Sequence, residues 1–373
     1  MPSASASTPA KSSTSSGPSW IRSTQEPRLR PPADRPEIPD SRPHAGELLA
    51  ISNTSGETTM SAAIELDNVT KRFGDRLVLD RMTLKVEPGS IFALLGDNGT
   101  GKSTSMKLLT GQIQADIGSV RLLGRDAWRD AVPLRHEVGY VPEKPKFYDW
   151  MTVAELGRFV GGFHREGFES RFTEAAGRLG LDVSRKLADL SKGGYARAGL
   201  ALAMAVDPKV LLLDEPTSGL DLSTRREFLS GMVDLAAEGR TVLITSHQIA
   251  EVERVASYVG LIAGGKLVLS LPMEELKSRI VRVIVQGVHE AEAVNGLGRV
   301  LQADRYGDIW RAIVHLPDPD AIERVAAIRS SGAVKAERLS LEEIYGSVLS
   351  SHAAAFAEAG SADAIYAAGG ADR

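Results

Sequence analysis

Ile91-Phe92-Ala93-Leu94-Leu95 runs directly into Gly96-Asp97-Asn98-Gly99-Thr100-Gly101-Lys102-Ser103-Thr104. Five apolar residues in a row, without the alternation of a half-exposed strand, predict a strand buried on both faces of a parallel sheet. The loop after it is a full match to G-x-x-x-x-G-K-[ST], in the strand-loop-helix setting that gives the pattern its meaning. Its glycines let backbone N–H groups turn inward around a β-phosphate. Lys102 supplies a point charge for the β- and γ-phosphates, Ser103 a hydroxyl ligand for Mg2+, and the helix beginning there its positive dipole end. The competing reading, a glycine-rich turn with an incidental lysine, leaves the flanking strand and helix unexplained.

Working outward, the same kind of apolar run recurs at Val210-Leu211-Leu212-Leu213 and at Val242-Leu243-Ile244-Thr245. Between residues 64 and 277 such runs alternate with helical stretches. That predicts an α/β fold around a mainly parallel sheet, with ligand sites at the carboxyl ends of its strands. All three runs end in polar residues. Asp214-Glu215 follows the second: an aspartate there can hold Mg2+ through water, and the glutamate can polarise a water for attack on the γ-phosphate. Alone, such a pair would be a solvated strand end; the phosphate loop upstream reverses that reading.

At this point the pattern resembles the ABC ATPase family, over about residues 64–277. Leu190-Ser191-Lys192-Gly193-Gly194 is similar to the family's signature, Leu-Ser-Gly-Gly-Gln; Ser191 and Gly193 match it, while Lys192 and Gly194 depart. A lysine at that third position is similar to the exporter-type branch. Ser218-Gly219-Leu220-Asp221 resembles the family's dimer-contact loop, and Thr245-Ser246-His247 ends where the family places its switch histidine. The resemblance implies a P-loop NTPase core with a helical subdomain at about 144–205, and ATP with Mg2+ as cofactors. It also implies Glu215 as general base, His247 on the γ-phosphate, and Ser103 and Asp214 at the metal. One phosphate loop has donors on one side only. The resemblance implies that the signature of a second ATPase subunit, identical or different, closes the far side in a head-to-tail dimer.

Two further positions are read against the same family. Phe73, in Lys71-Arg72-Phe73-Gly74, stands where the family often stacks an aromatic on adenine; a core aromatic in an early strand is the alternative. Glu143, in Gly139-Tyr140-Val141-Pro142-Glu143, stands where most members have a glutamine that reaches the metal. A carboxylate accepts from a bound water but cannot donate as an amide does. The loop from Lys144 to Val153, with Phe147, Tyr148, Trp150 and Met151, fits either a docking surface for a membrane partner or the core of the helical subdomain.

The 373 residues allow two or three domains, with 43% apolar and 25% charged residues of an ordinary globular chain. A net charge of -4 argues against general nucleic-acid binding, and the absence of cysteine excludes disulfides and thiolate metal sites. The most apolar stretch, Ala198 to Val206, falls well short of the roughly 18 residues that cross a bilayer. No apolar core of a signal peptide follows the N-terminus. Residues 1–59 are rich in Ser, Thr, Pro and Arg and read as a disordered extension, with the folded start near Met60. The cassette is expected over 60–277, a small α+β domain over 278–351 with a helix from Pro319 to Ser330, and a flexible tail over 352–373.

These features predict the ATP-hydrolysing subunit of an exporter, held at the cytoplasmic face of the membrane by a separate transmembrane permease. Ser340-Leu341-Glu342-Glu343-Ile344-Tyr345 is similar to a segment found at the ends of exporter-type subunits. The alternative is a non-transport ABC ATPase acting on a cytosolic partner such as the ribosome. Ribosome-associated members usually carry two cassettes, however, and chromosome-type members separate the motifs by a coiled coil absent here. A P-loop kinase or GTPase leaves the signature and His247 unexplained.

Overall fold

A computed structural model describes residues 62–218, 220–286, 298–318 and 334–352. The expectations for residues 1–59, the start at Met60, Gly219, the helix at 319–330 and the tail beyond 352 lie outside the described residues.

The chain opens with β1 (Ile64–Phe73) and β2 (Arg76–Val86), then β3 (Ile91–Leu95) and α1 (Lys102–Leu109). There follow β4 (Ile117–Leu122), β5 (Arg125–Asp126), α2 (Ala131–Leu134) and β6 (Val138–Val141). A helical section holds α3 (Val153–Gly161), α4 (Phe168–Arg178) and α5 (Lys192–Ala205). The chain returns through β7 (Val210–Asp214), α6 (Leu222–Ala237), β8 (Thr241–Ser246), α7 (Ile249–Val252), β9 (Tyr258–Ala263), β10 (Lys266–Pro272) and α8 (Met273–Arg279). Last come β11 (Ile280–Gln286), β12 (Arg299–Tyr306), β13 (Ile309–His315), β14 (Val334–Arg338) and a helix over residues 341–352.

The central sheet has the order β10-β9-β3-β8-β7-β6, parallel except for β10. Its uninterrupted apolar runs are buried at every position because both faces are covered. Ile91, Ala93 and Leu95 enter one apolar cluster with Leu211, Leu213, Val242 and Ile244. Phe92 and Leu94 enter a second, on the other face, with Val210, Leu212 and Leu243. The parallel register sets Leu95 beside Ser246, Asp214 beside Thr245, and Val141 beside Leu213, so the carboxyl ends line up.

An antiparallel sheet, β2-β1-β4-β5, packs into the second cluster with Met106, Leu108 and Leu109 of α1. In the helical section Thr152 caps α3 in a reciprocal box with Glu155, and Leu156, Phe168, Phe172, Ala198 and Ala201 form the core. Only part of the aromatic loop enters that core. Met151 is buried and Phe147 packs on that core, whereas Trp150 is 67% exposed and joins Tyr148, Phe159 and Phe163 in a row of outward-facing rings.

The last sheet is antiparallel, β12-β13-β11-β14. The boundary expected at 277 falls inside α8, which leads into β11 without a loop. Its charged residues, Glu274, Glu275, Lys277 and Arg279, flank a buried stripe of Met273 and Leu276 and do not form a linker. Leu341, Ile344 and Val348 of the final helix lie in the same apolar cluster as Leu261 and Leu269 of the cassette.

Candidate functional site

The phosphate loop leaves β3 at Gly96, where a Cβ would lie 2.5 Å from the Ile262 side chain. It enters α1 through Gly101, whose φ of 114° is closed to residues with a side chain, and where a Cβ would run into Leu79. Lys102 folds back over the loop, donating from Nζ to the carbonyls of Gly96 at 2.6 Å and Asp97 at 3.3 Å. Asp97, Asn98 and Gly99 are exposed, Thr100 and Thr104 half-buried. The Thr100 hydroxyl donates to the Asp97 carbonyl at 2.9 Å.

The strand ends converge on this loop. Asp214 Oδ1 accepts from Ser103 Oγ at 3.2 Å and from Thr245 Oγ1 at 2.7 Å. Burial pushes the Asp214 carboxyl above the ordinary range; the two hydroxyls oppose that shift, and the charges of Glu215 and Glu143 add to it. Glu215, only 8% exposed, turns off the strand at a left-handed φ of 49°. Such a conformation costs roughly 1–3 kcal/mol in a residue with a side chain, and here the Glu215 N–H is held by the hydroxyl of Thr245 at 3.0 Å. One carboxylate oxygen of Glu215 accepts from the His247 N–H at 3.2 Å and lies 2.7 Å from His247 Nδ1. The other is buried without a hydrogen bond, 3.3 Å from Lys102 Nζ.

This donor set fits a hard divalent cation shared with a phosphate chain. Ser103 and Asp214 offer oxygen ligands side by side, and Mg2+ is ordinarily held by one or two carboxylates plus phosphates. Among the described residues no group of three or more His, Asp or Glu forms a metal cage. The unsatisfied Glu215 oxygen beside a lysine is a place for a polar reactant.

The remaining candidates sit around this centre. Phe73 ends β1 and is 49% exposed with Lys71 Nζ 5.5 Å from its ring centre, which excludes the core alternative. Glu143 follows β6, the neighbour of β7, and is exposed beside Lys144. The signature is not brought to the phosphate loop of its own chain. Ser191 caps α5, its hydroxyl accepting from the Gly194 N–H at 3.1 Å, with Leu190 half-buried behind it and Lys192 exposed. A Cβ at Gly193 would come into van der Waals contact with Leu220 and Thr224 instead. Asp221 caps α6, accepting from the Thr224 N–H at 3.0 Å, which lowers its pKa; Ser218 is exposed and Leu220 buried. Thr245 was not singled out in the sequence, although a hydroxyl closing an apolar strand next to a polar motif is the available signal.

The profile of the ABC transporter family matches residues 79–218. A probable multidrug ABC transporter ATP-binding protein, YbhF of Escherichia coli (strain K12), is 36% identical over 238 residues, 62% of this chain but only 40% of its own length. The bacitracin transport ATP-binding protein BcrA of Enterococcus faecalis is 35% identical over 227 residues, covering 59% of this chain and 72% of that one. A Nod factor export ATP-binding protein I of Rhizobium etli is 31% identical over 253 residues, 65% and 80% of the two chains. Among solved structures, an ATP-binding subunit of an ABC transporter superposes with a TM-score of 0.54 at 24% identity, covering 58% of this chain and 92% of that one. A dimeric cassette bound to ADP and Pi gives 0.53 at 22%, covering 56% and 98%.

Proposed function

The chain belongs to the family of ABC transporter ATP-binding proteins, and we propose that it binds and hydrolyses Mg-ATP to drive export through a separate membrane permease. The observation that carries this reading is the position of Glu215. Its carboxylate is fixed between Lys102 and His247, at the mouth of the phosphate loop and next to the Ser103–Asp214 oxygen pair.

From that geometry each residue takes a role. The amides of 96–104 and the start of α1 receive the β- and γ-phosphates, and Lys102 Nζ faces them. Ser103 and Asp214 would hold Mg2+, which when bound supplies positive charge to the phosphate oxygens. Glu215 accepts the proton of the attacking water through its free oxygen, while His247 orients the carboxylate through the other. Phe73 offers an exposed ring for adenine. Glu143, on the loop that follows β6, contributes a further negative charge toward the metal.

The signature stands at an exposed, serine-capped helix start away from its own phosphate loop, which supports a head-to-tail dimer in which it meets the γ-phosphate of a second subunit. Among the described residues no helix is long and apolar enough to cross a membrane, so the transport path is assigned to the permease, with this subunit at its cytoplasmic face. The outward rings of Tyr148, Trp150, Phe159 and Phe163 are the surface we assign to that contact. The names of the relatives, for multidrug and bacitracin transport and Nod factor export, support export over action on the ribosome.

Glu215→Gln tests the core of this reading. The variant is expected to keep Mg-ATP affinity, to lose hydrolysis by about 10²–10⁴-fold, and to elute as a dimer with ATP. Unchanged turnover would refute the assignment of the base.

A further inference from the structure

The hydroxyl of Tyr345, on the helix of residues 341–352, donates to Asp97 Oδ1 in the phosphate loop at 2.8 Å. That helix is firmly placed. The Ser340 hydroxyl accepts from the Glu343 N–H at 3.3 Å, and the Glu343 carboxylate accepts from the Ser340 N–H and hydroxyl, each at 2.9 Å. Arg282 of β11 donates to Glu343 at 2.7 Å. Leu341, Ile344 and Val348 are fully buried in the cluster that also contains Leu95, the residue before the loop. Tyr345 is therefore presented from a rigid element.

Asp97 is a junction within the loop. Its carbonyl accepts from the Thr100 hydroxyl, and from Lys102 Nζ at 3.3 Å, while its side chain accepts from Tyr345. Burial and the Asp97 carboxylate raise the Tyr345 hydroxyl well above the ordinary tyrosine range, so it remains a proton donor at every physiological pH. Residues 97–99 are exposed, and an exposed loop must be ordered when a ligand binds it.

We propose that Tyr345 is a positioning residue for ATP: through Asp97 it holds the phosphate loop, and with it Lys102, in the binding conformation. It touches no reacting atom and acts on affinity, not on the chemical step. The inference rests on the reading of residues 96–104 as the ATP phosphate site.

The test uses the full chain and Tyr345→Phe, which keeps the ring and its packing and removes the hydroxyl. Because Asp97 is exposed and water competes for its carboxylate, loss of this hydrogen bond counts for less than at a buried charge and predicts about three- to tenfold weaker Mg-ATP binding by calorimetric titration. The kcat at saturating ATP and the melting temperature are expected to stay with the parent. Without nucleotide, amide exchange of residues 96–104 is expected to quicken. Asp97→Ala should reproduce the loss, adding Tyr345→Phe to it should change little, and Asp97→Asn, which keeps an acceptor, should retain most of the affinity. Parental affinity and exchange in Tyr345→Phe would overturn the proposal, as would losses that add fully in the double variant. A parent that fails to bind Mg-ATP would overturn the site reading itself, while the exchange measurement still reports whether Tyr345 holds the loop.

Discussion

Thr245→Val removes one hydroxyl from the centre of the site and changes little else. Thr245 is fully buried, and its hydroxyl serves two neighbours: it donates to Asp214 Oδ1 at 2.7 Å and accepts from the Glu215 N–H at 3.0 Å. A hydrogen bond to a charged group contributes about 1.5–3 kcal/mol. The Glu215 N–H keeps a longer bond to the Thr245 carbonyl at 3.2 Å, so only a fraction of the ~1–3 kcal/mol for an orphaned buried donor is added. Unfolding stability is expected to fall by about 2–3 kcal/mol, a sizeable part of the ~5–15 kcal/mol typical of a domain. A second effect follows from charge. Asp214 is already raised by burial, and the Thr245 hydroxyl is the largest influence lowering it. Its loss raises Asp214 further, so the variant should need more Mg2+ for hydrolysis, most visibly as the pH falls. Urea denaturation and Mg2+ titrations of ATPase rate at pH 8 and pH 6 read the two effects. Thr245→Ser, which keeps the hydroxyl, should stay close to the parent in Mg2+ dependence. A Thr245→Val protein within 0.5 kcal/mol of the parent, with superimposable Mg2+ titrations, would refute the reasoning.

Lys102→Ala should abolish measurable Mg-ATP binding in a calorimetric titration, because it removes the charge facing the phosphates; parental affinity would sink the site. Glu143→Gln removes a charge that raises Asp214, so the acid limb of Mg2+-dependent hydrolysis should move to lower pH, while at pH 8 the loss of negative charge near the metal should raise the Mg2+ requirement. Identical profiles would place Glu143 away from the metal. Glu343 is held down to about 2 by Arg282 first and then by Ser340. Its contribution is therefore present above the ordinary value of 4.5 and lost as pH falls toward 2. Because the side chain is partly exposed, the effect should be below about 1 kcal/mol. The melting-temperature gap between parent and Glu343→Gln should be constant above pH 5.5 and close as the medium is acidified; a pH-independent gap would contradict the sign.

The parts legible in the sequence were those where one local pattern determines one local structure. The apolar runs at 91–95 and 210–213 could be satisfied only by burial on both sides, and Gly101-Lys102-Ser103 could begin only a helix. The run at 242–245 was legible for the same reason and forms the middle of β8. The antiparallel pairing of β1, β2 and β4 was not, because alternation marks a half-exposed strand without naming its partner. Strand β12 was missed: Arg299–Tyr306 carries exposed polar residues over most of its length and shows little alternation. Thr245, and the bond from Tyr345 to Asp97, depend on tertiary neighbours that no single window contains.

The passage from α8 into β11 without a loop bears on how the chain comes apart. A fragment ended at residue 277 would cut a helix and strip Leu341, Ile344 and Val348, each fully buried, from the cassette's own core. At roughly 1.5–3 kcal/mol for each buried aliphatic side chain, that loss approaches the whole stability of an average domain. The cassette and the segment after it therefore share one cooperative transition. A scanning calorimeter should record a single heat-absorption peak for the described body, and a protease should find no cut between residues 273 and 286 that releases an intact ATPase.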